Sequence, residues 1–135
     1  KGVSVILVHN TFTTAEDVER AALENVSWCF CPRANLFIEG GLPDFKHFSS
    51  HARRLCVGTD SLASNDALDI VAELNEIARA APFFREEQLL AMITSNGADA
   101  LSIADRYGHL APGTSGGLNL LRRDGSKFEL VRTIL

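Results

Sequence analysis

The run Val57-Gly58-Thr59-Asp60-Ser61-Leu62-Ala63-Ser64-Asn65 sets a carboxylate where an apolar strand, Leu55 to Val57, gives way to a loop before a helix opening at Asn65. In β/α folds the carboxyl ends of parallel strands gather on one rim, and side chains from several strands converge there on one ligand. An aspartate so placed accepts a proton, binds a cation, or simply caps its own turn. Two other strand ends offer company: His9-Asn10, and Cys31-Pro32-Arg33 with Asn35. A histidine and an aspartate on a shared rim could bind a divalent metal or work on its water. The metal lowers the pKa of that water towards neutrality, and a carboxylate can then take the proton. Two groups fall short of a catalytic zinc site, which uses three protein ligands and keeps one position open. As a lone strand-end residue, His9 serves equally as a hydrogen-bonding group.

Other reactive side chains make poorer cases. Cys29 and Cys31 would share one strand face, but a C-x-C pair without a second cysteine or histidine cluster is a weak metal signal. Buried small side chains explain it better. Cys31 and Cys56 are the candidate nucleophiles of a different α/β enzyme. Cys56, inside a strand between Leu55 and Val57, reads as inert, and Cys31 has only His9 to activate it. His47 and His51 stand at i, i+4, a spacing that holds zinc on a helix, yet no acid at the right offset supports them.

The elements that must position these groups alternate strand, polar end, helix, three times over. Val3 to Val8 is nearly continuous in apolarity, as a strand covered on both faces reads. Thr13 or Thr14 caps the next helix, with Glu16 and Asp17 in its first turn and Val18, Ala21, Ala22 and Leu23 as its stripe. Val26 to Cys31 forms the second strand, stopped by Pro32, and Arg33 to Pro43 reads as a loop with a double glycine. Asp44 to Ala52 is expected as a helix with Phe45 and Phe48 inward. Arg54 to Val57 forms the third strand. Asn65 opens a helix with Leu68, Val71, Leu74, Ile77 and Ala78 buried, ending before Pro82. Arg85 to Asn96 is a further helix, with Gly97 as its left-handed cap, and Ala98 to Tyr107 another, closed by Gly108. A turn-rich stretch, Leu110 to Gly117, precedes two strands, Leu118 to Leu121 and Phe128 to Leu135, about a turn at Asp124-Gly125. Such β/α alternation implies a parallel sheet with right-handed crossovers.

Composition bounds the function. The 135 residues suffice for one domain with a core, and 46% hydrophobic with 22% charged residues is a globular composition. A net charge of −4 with no basic cluster argues against nucleic acid as a partner. No apolar run reaches the roughly 18 residues of a membrane span. Val3 to Val8 is also too short for a signal peptide. Three cysteines, an odd number, fit a reducing cytosol rather than a disulfide framework. Lys1 stands directly before a strand, so the expectation is a piece of a longer polypeptide. Three strands with open edges also predict an oligomer.

The ordered set LVHNTFT, CPRAN followed by GG, VGTDSLASN followed by ELN, and TSNGADAL resembles the carboxyl-terminal half of the amidohydrolase superfamily. The similarity covers residues 3 to about 121. Its nearest branch holds the chlorohydrolases and the guanine and cytosine deaminases. The resemblance implies a (β/α)8 barrel flanked by a small β-sandwich. Residues 1–113 would supply the last three barrel strands and helices, and 114–135 a hairpin of the sandwich. It implies Asp60 as metal ligand and proton shuttle, and His9 as hydrogen-bond partner of the attacking water or the substrate. It also implies that Asn35, Ser64 and Asn65 shape the substrate pocket. The implied cofactor is a divalent metal, zinc or else iron, whose other ligands lie outside this chain. The substrate class is a heterocyclic amine or amide. Phe30 replaces the histidine this branch often has before its C-P-x-x-N, and Glu39 is no substitute for the family's general acid. The expected function is therefore a piece of a metal-dependent deaminase or chlorohydrolase, inactive without its amino-terminal half. The rival is a half-barrel binding or assembly module without catalysis.

Overall fold

The computed structural model describes residues 4–134, so Val3 and Leu135, the expected outer ends of the first and last strands, lie outside it. Strands β1 (Val5–Val8), β2 (Val26–Phe30) and β3 (Leu55–Val57) form a parallel sheet in the order β1-β2-β3. Val5 pairs with Val26, and Cys29 pairs with Val8 on one side and Cys56 on the other. The middle strand alternates cleanly: Val26, Trp28 and Phe30 are buried, while Ser27 and Cys29 between them are only partly so. Phe30 packs edge-on against Phe45 and Phe48, with ring centroids 5.1 and 5.0 Å apart, and Trp28 against Phe48 at 5.8 Å. Such edge-to-face contacts add to the burial of apolar area. Phe45 and Phe48 do point inward, from a 3₁₀ segment, Phe45–Arg54, rather than the expected α-helix.

Helix α1 (Ala15–Ala22) starts at Thr14, whose hydroxyl accepts the Asp17 N–H, while the Asp17 carboxylate accepts the Thr14 N–H at 3.0 Å. This reciprocal pair satisfies two donors that a helix start leaves orphaned. Three helix boundaries need correction. The span 33–43 is mostly helix, not loop: α2 (Pro32–Glu39) begins where β2 ends. Pro32 stops the strand but also occupies the first helical turn, where its missing N–H costs nothing, and Gly40 ends the helix in the left-handed conformation. Helix α3 (Ile70–Ala80) opens after Asp69, not at Asn65. The Asp69 carboxylate accepts the N–H groups of Val71 and Ala72, so residues 58–69 are a long connection and Leu68 is exposed.

The third correction concerns the cap glycine. Helices α4 (Glu86–Met92) and α5 (Ser95–Ala100) are both short, and Gly97 lies inside α5 without a positive φ. Ser102 takes the left-handed position instead, with its N–H on Asp99 O at 3.0 Å and the Ile103 N–H on Ala98 O at 2.9 Å. That pair of bonds is a Schellman stop, which ends the helix expected to run to Tyr107.

Strands β4 (Leu118–Asp124) and β5 (Lys127–Ile134) form an antiparallel hairpin around Gly125-Ser126, longer than expected. Asn75 docks it onto α3 by exchanging two bonds with the Phe128 backbone, at 2.7 and 2.8 Å. β1 departs most from expectation. Val5, Leu7 and Val8 are 40, 36 and 50% exposed, where coverage on both faces was expected. Among the described residues nothing pairs with the outer edge of β1 or of β3.

Gly108 has φ +88°, and a Cβ there would meet the Ala98 Cβ at 2.7 Å and the Thr94 carbonyl at 3.0 Å. Gly108→Ala is therefore expected to cost about 2 kcal/mol through strain and overlap. Urea denaturation should show a lower midpoint with an unchanged slope.

Candidate active site

Three strand ends meet on one rim because the sheet's hydrogen bonds continue past the strands. The His9 N–H donates to Cys29 O at 3.0 Å and the Gly58 N–H to Phe30 O at 2.9 Å. Immediately beyond, the backbone takes an unusual course: His9, Asn10 and Asp60 all have positive φ, at 71, 63 and 55°. Asn, Asp and His are the non-glycine residues that tolerate this region best, and such strain gathers at functional sites. Asn10, buried, secures the first turn by donating its amide to Leu7 O at 3.0 Å and Cys29 O at 3.3 Å.

His9, Asn35, Asp60 and Ser64 come together. The Asn35 amide donates to His9 O at 3.1 Å, which turns its Oδ1 towards His9 Nδ1 at 2.8 Å. Oδ1 only accepts, so Nδ1 carries a proton, and whenever the ring is neutral its lone pair stands at Nε2. Nε2 lies 3.9 Å from Asp60 Oδ2, with both side chains about one-third exposed. Ser64 Oγ donates to that same Oδ2 at 2.6 Å. Two electron-rich groups facing one another repel unless a proton or a cation sits with them. The donor chemistry therefore fits a metal or an activated water. Among the described residues no group of three metal-binding side chains exists.

Asn65 does not reach the pair. Its amide donates to Thr59 O at 2.9 Å and to Glu73 Oε1, inside the loop that carries Asp60. Glu73, fully buried on α3, belongs to the ELN of the family resemblance, but neither that motif nor the apolar stripe of the helix marks it as part of the site. Burial pushes its carboxyl above the usual range, opposed by hydrogen bonds from the Arg33 N–H and Asn65.

Cys29, Cys31 and Cys56 are free thiols beneath the rim. A Cβ on Gly58 would lie 3.1 Å from the Cys29 sulfur and 3.4 Å from that of Cys31, so glycine lets this layer pack. Contact with Cys31 favours the Cys29 thiolate, but the Cys56 thiol and burial outweigh it and push the group up to about 12. Cys31 is also raised, by its bond to Cys29 and by burial, which disqualifies it as a nucleophile. Cys56 is lowered by the Cys29 S–H, yet it is buried in its strand. His47 and His51 diverge as well. At three residues per turn, i and i+4 leave the same face. His47 meets Thr13 O, while His51 packs at a tilt against the Trp28 ring.

A model of the amidohydrolase family matches residues 1–134. The chain belongs to the amidohydrolase family. Within that family it is 34% identical to a 5-methylthioadenosine/S-adenosylhomocysteine deaminase of Teredinibacter turnerae, over 78% of this chain and 26% of that protein. It is 27% identical to an 8-oxoguanine deaminase of Pseudomonas aeruginosa, over 90% of this chain and 28% of that one. Among solved structures, an adenosine deaminase from Xanthomonas campestris with bound zinc aligns at a TM-score of 0.74. The identity there is 29%, over 86% of this chain and 28% of that one. The chain thus spans between a quarter and a third of the length of these relatives. No helix among the described residues is long and apolar enough to cross a membrane.

Two outcomes are expected here. Long-range ¹H–¹⁵N spectra should place the proton of neutral His9 on Nδ1, and Asn35→Ala should return it to Nε2. The second concerns Glu73, whose raised pKa means the folded state holds a proton that the unfolded state has already released. Stability relative to Glu73→Gln should therefore fall as pH rises from the ordinary carboxylate range through the raised value, with no such slope below it. Urea titrations of both proteins between about pH 4 and 7 read this difference.

Proposed function

We propose that this chain is the carboxyl-terminal part of a metal-dependent aminohydrolase. Residues 1–113 would supply the last three β/α units of a (β/α)8 barrel, and 114–135 a hairpin of its flanking β-sandwich. The observation that carries this reading is the pairing of His9 Nε2, on a ring oriented by Asn35, with the Asp60 carboxylate at 3.9 Å. The open edges of β1 and β3 support it, since a barrel would fill both.

A divalent metal, zinc foremost, supplies a water of lowered pKa when bound; the zinc in the adenosine deaminase from Xanthomonas campestris favours that ion over iron. Asp60 would hold the metal and accept the water's proton. Ser64, donating to Oδ2, leaves Oδ1 without a protein partner among the described residues and free for that work. His9 Nε2 would accept a hydrogen bond from the water or the substrate, its ring held by Asn35. Asp60 would then return the proton to the departing amine, so that water and a ring amine become a carbonyl and ammonia. The names of the relatives favour a purine-like heterocyclic amine as substrate, with an amide or a C–Cl bond behind it. The free thiols suit a cytosolic setting.

Only two donors stand together, so the 135-residue chain alone is expected to turn over no heterocyclic amine. Joined to its amino-terminal portion it should do so, and Asp60→Asn should lower kcat/KM by about a thousandfold. Turnover by the isolated chain, or an unaffected Asp60→Asn, refutes the assignment. The exposed apolar side chains of β1 favour a second reading, a binding module that assembles through its edges without catalysis. Light scattering that finds only monomer would count against it.

A further inference from the structure

Among the described residues, Glu73 is the only buried carboxylic acid, and its side chain is fully enclosed. It has no place among the acting groups, yet both its oxygens are committed. Oε2 accepts the Arg33 N–H at 2.9 Å, in the first turn of α2. Oε1 accepts the Asn65 amide at 2.5 Å, and that same nitrogen donates to Thr59 O at 2.9 Å. Both neighbours of the nitrogen are acceptors, so the amide cannot be turned round without setting oxygen against oxygen.

One carboxylate therefore joins three segments. Asn65 holds Thr59, which directly precedes Asp60, and its neighbour Ser64 binds the Asp60 Oδ2, so the two ends of this loop fix Asp60. Helix α2, held at its first turn, carries Asn35, which orients His9. We propose that Glu73 is the positioning residue of the site, tying the loop that aims Asp60 to the helix that aims His9. The role calls for two acceptors pointing apart. A glutamine offers one acceptor and one donor, and that donor would face an N–H. The proposal rests on His9 and Asp60 being the acting pair, but its test reads neither metal nor turnover.

The test uses the isotope-labelled chain as wild type, Glu73→Gln, Asn65→Ala and the double variant. Each single change is expected to shift the Asp60 carboxyl ¹³C resonance. It should also speed amide exchange of residues 59–65 by about tenfold or more relative to α1. The double variant should match the larger single effect, because both changes cut one linkage. An unmoved Asp60 resonance, exchange that rises evenly over the chain, or additive effects would reduce Glu73 to a core residue and overturn the proposal. Should Glu73→Gln fail to fold, Asn65→Ala keeps the Arg33 contact and decides by the same two readouts. Failure of the aminohydrolase reading would appear elsewhere, as an absence of turnover with these spectra intact.

Discussion

The site hangs on β2. Its Trp28 and Phe30 are locked by Phe45, Phe48 and the rest of the core, so the strand cannot slide without unpacking several rings. The carbonyls of Cys29 and Phe30 then receive the N–H groups of His9 and Gly58. Two strand ends far apart in sequence thus inherit one register from the strand between them. A shift of a single residue would turn the apolar set to the wrong face and carry His9 away from Asp60. The aromatic core and the polar rim are two sides of the same constraint.

The ends of β1 and β3 leave the ladder through left-handed residues, and a side chain other than glycine pays a penalty there of about 1–3 kcal/mol. The molecule meets that cost with local polar bonds rather than with burial. Asn10 donates twice to the backbone around His9, and Ser64 with Asn65 secures Asp60 from both sides. The effect is to point His9 and Asp60 across the rim at one another instead of along their strands. Glycine would relieve the strain but leave the side chains that do the work without an origin.

Much of this was legible in the sequence wherever the signal is local. The start of α1 near Thr14, the inward Phe45 and Phe48, and a hairpin turning within one residue of the expected place are set by residues a few positions apart. The strand-end residues His9 and Asp60 were also readable, because β/α alternation says which end of a strand matters. What failed were features settled by competition or by distant partners. Pro32 both stops a strand and starts a helix, and only its first role was read. Asn65 and Asp69 both resemble caps, but Asn65 is drawn away by Thr59 and Glu73, leaving Asp69 to open α3. Gly97 suits a left-handed cap by type, yet the Schellman bonds fall at Ser102. Glu73 shows in the sequence only as the first residue of the ELN that helps carry the resemblance, with no role attached: on a helix, one acid among apolar residues looks like surface, and its partners Arg33 and Asn65 are named only by the fold.

The exposure of β1 links the fold to the chemistry. A strand of Val, Ile and Leu is the composition of one buried on both faces, yet three of its side chains stand open. His9, at its end, faces a carboxylate, and among the described residues no third metal-binding side chain joins them. Both are the same incompleteness, one in packing and the other in coordination. Strands laid against β1 and β3 would cover the apolar side chains and bring new strand ends to the same rim, where the proposed metal would find its further ligands. A module built only to bind through its edges would have the first need without the second. The orientation of His9 by Asn35, and of Asp60 by Ser64, is what separates the two, since edge pairing gains nothing from a histidine held in one tautomer.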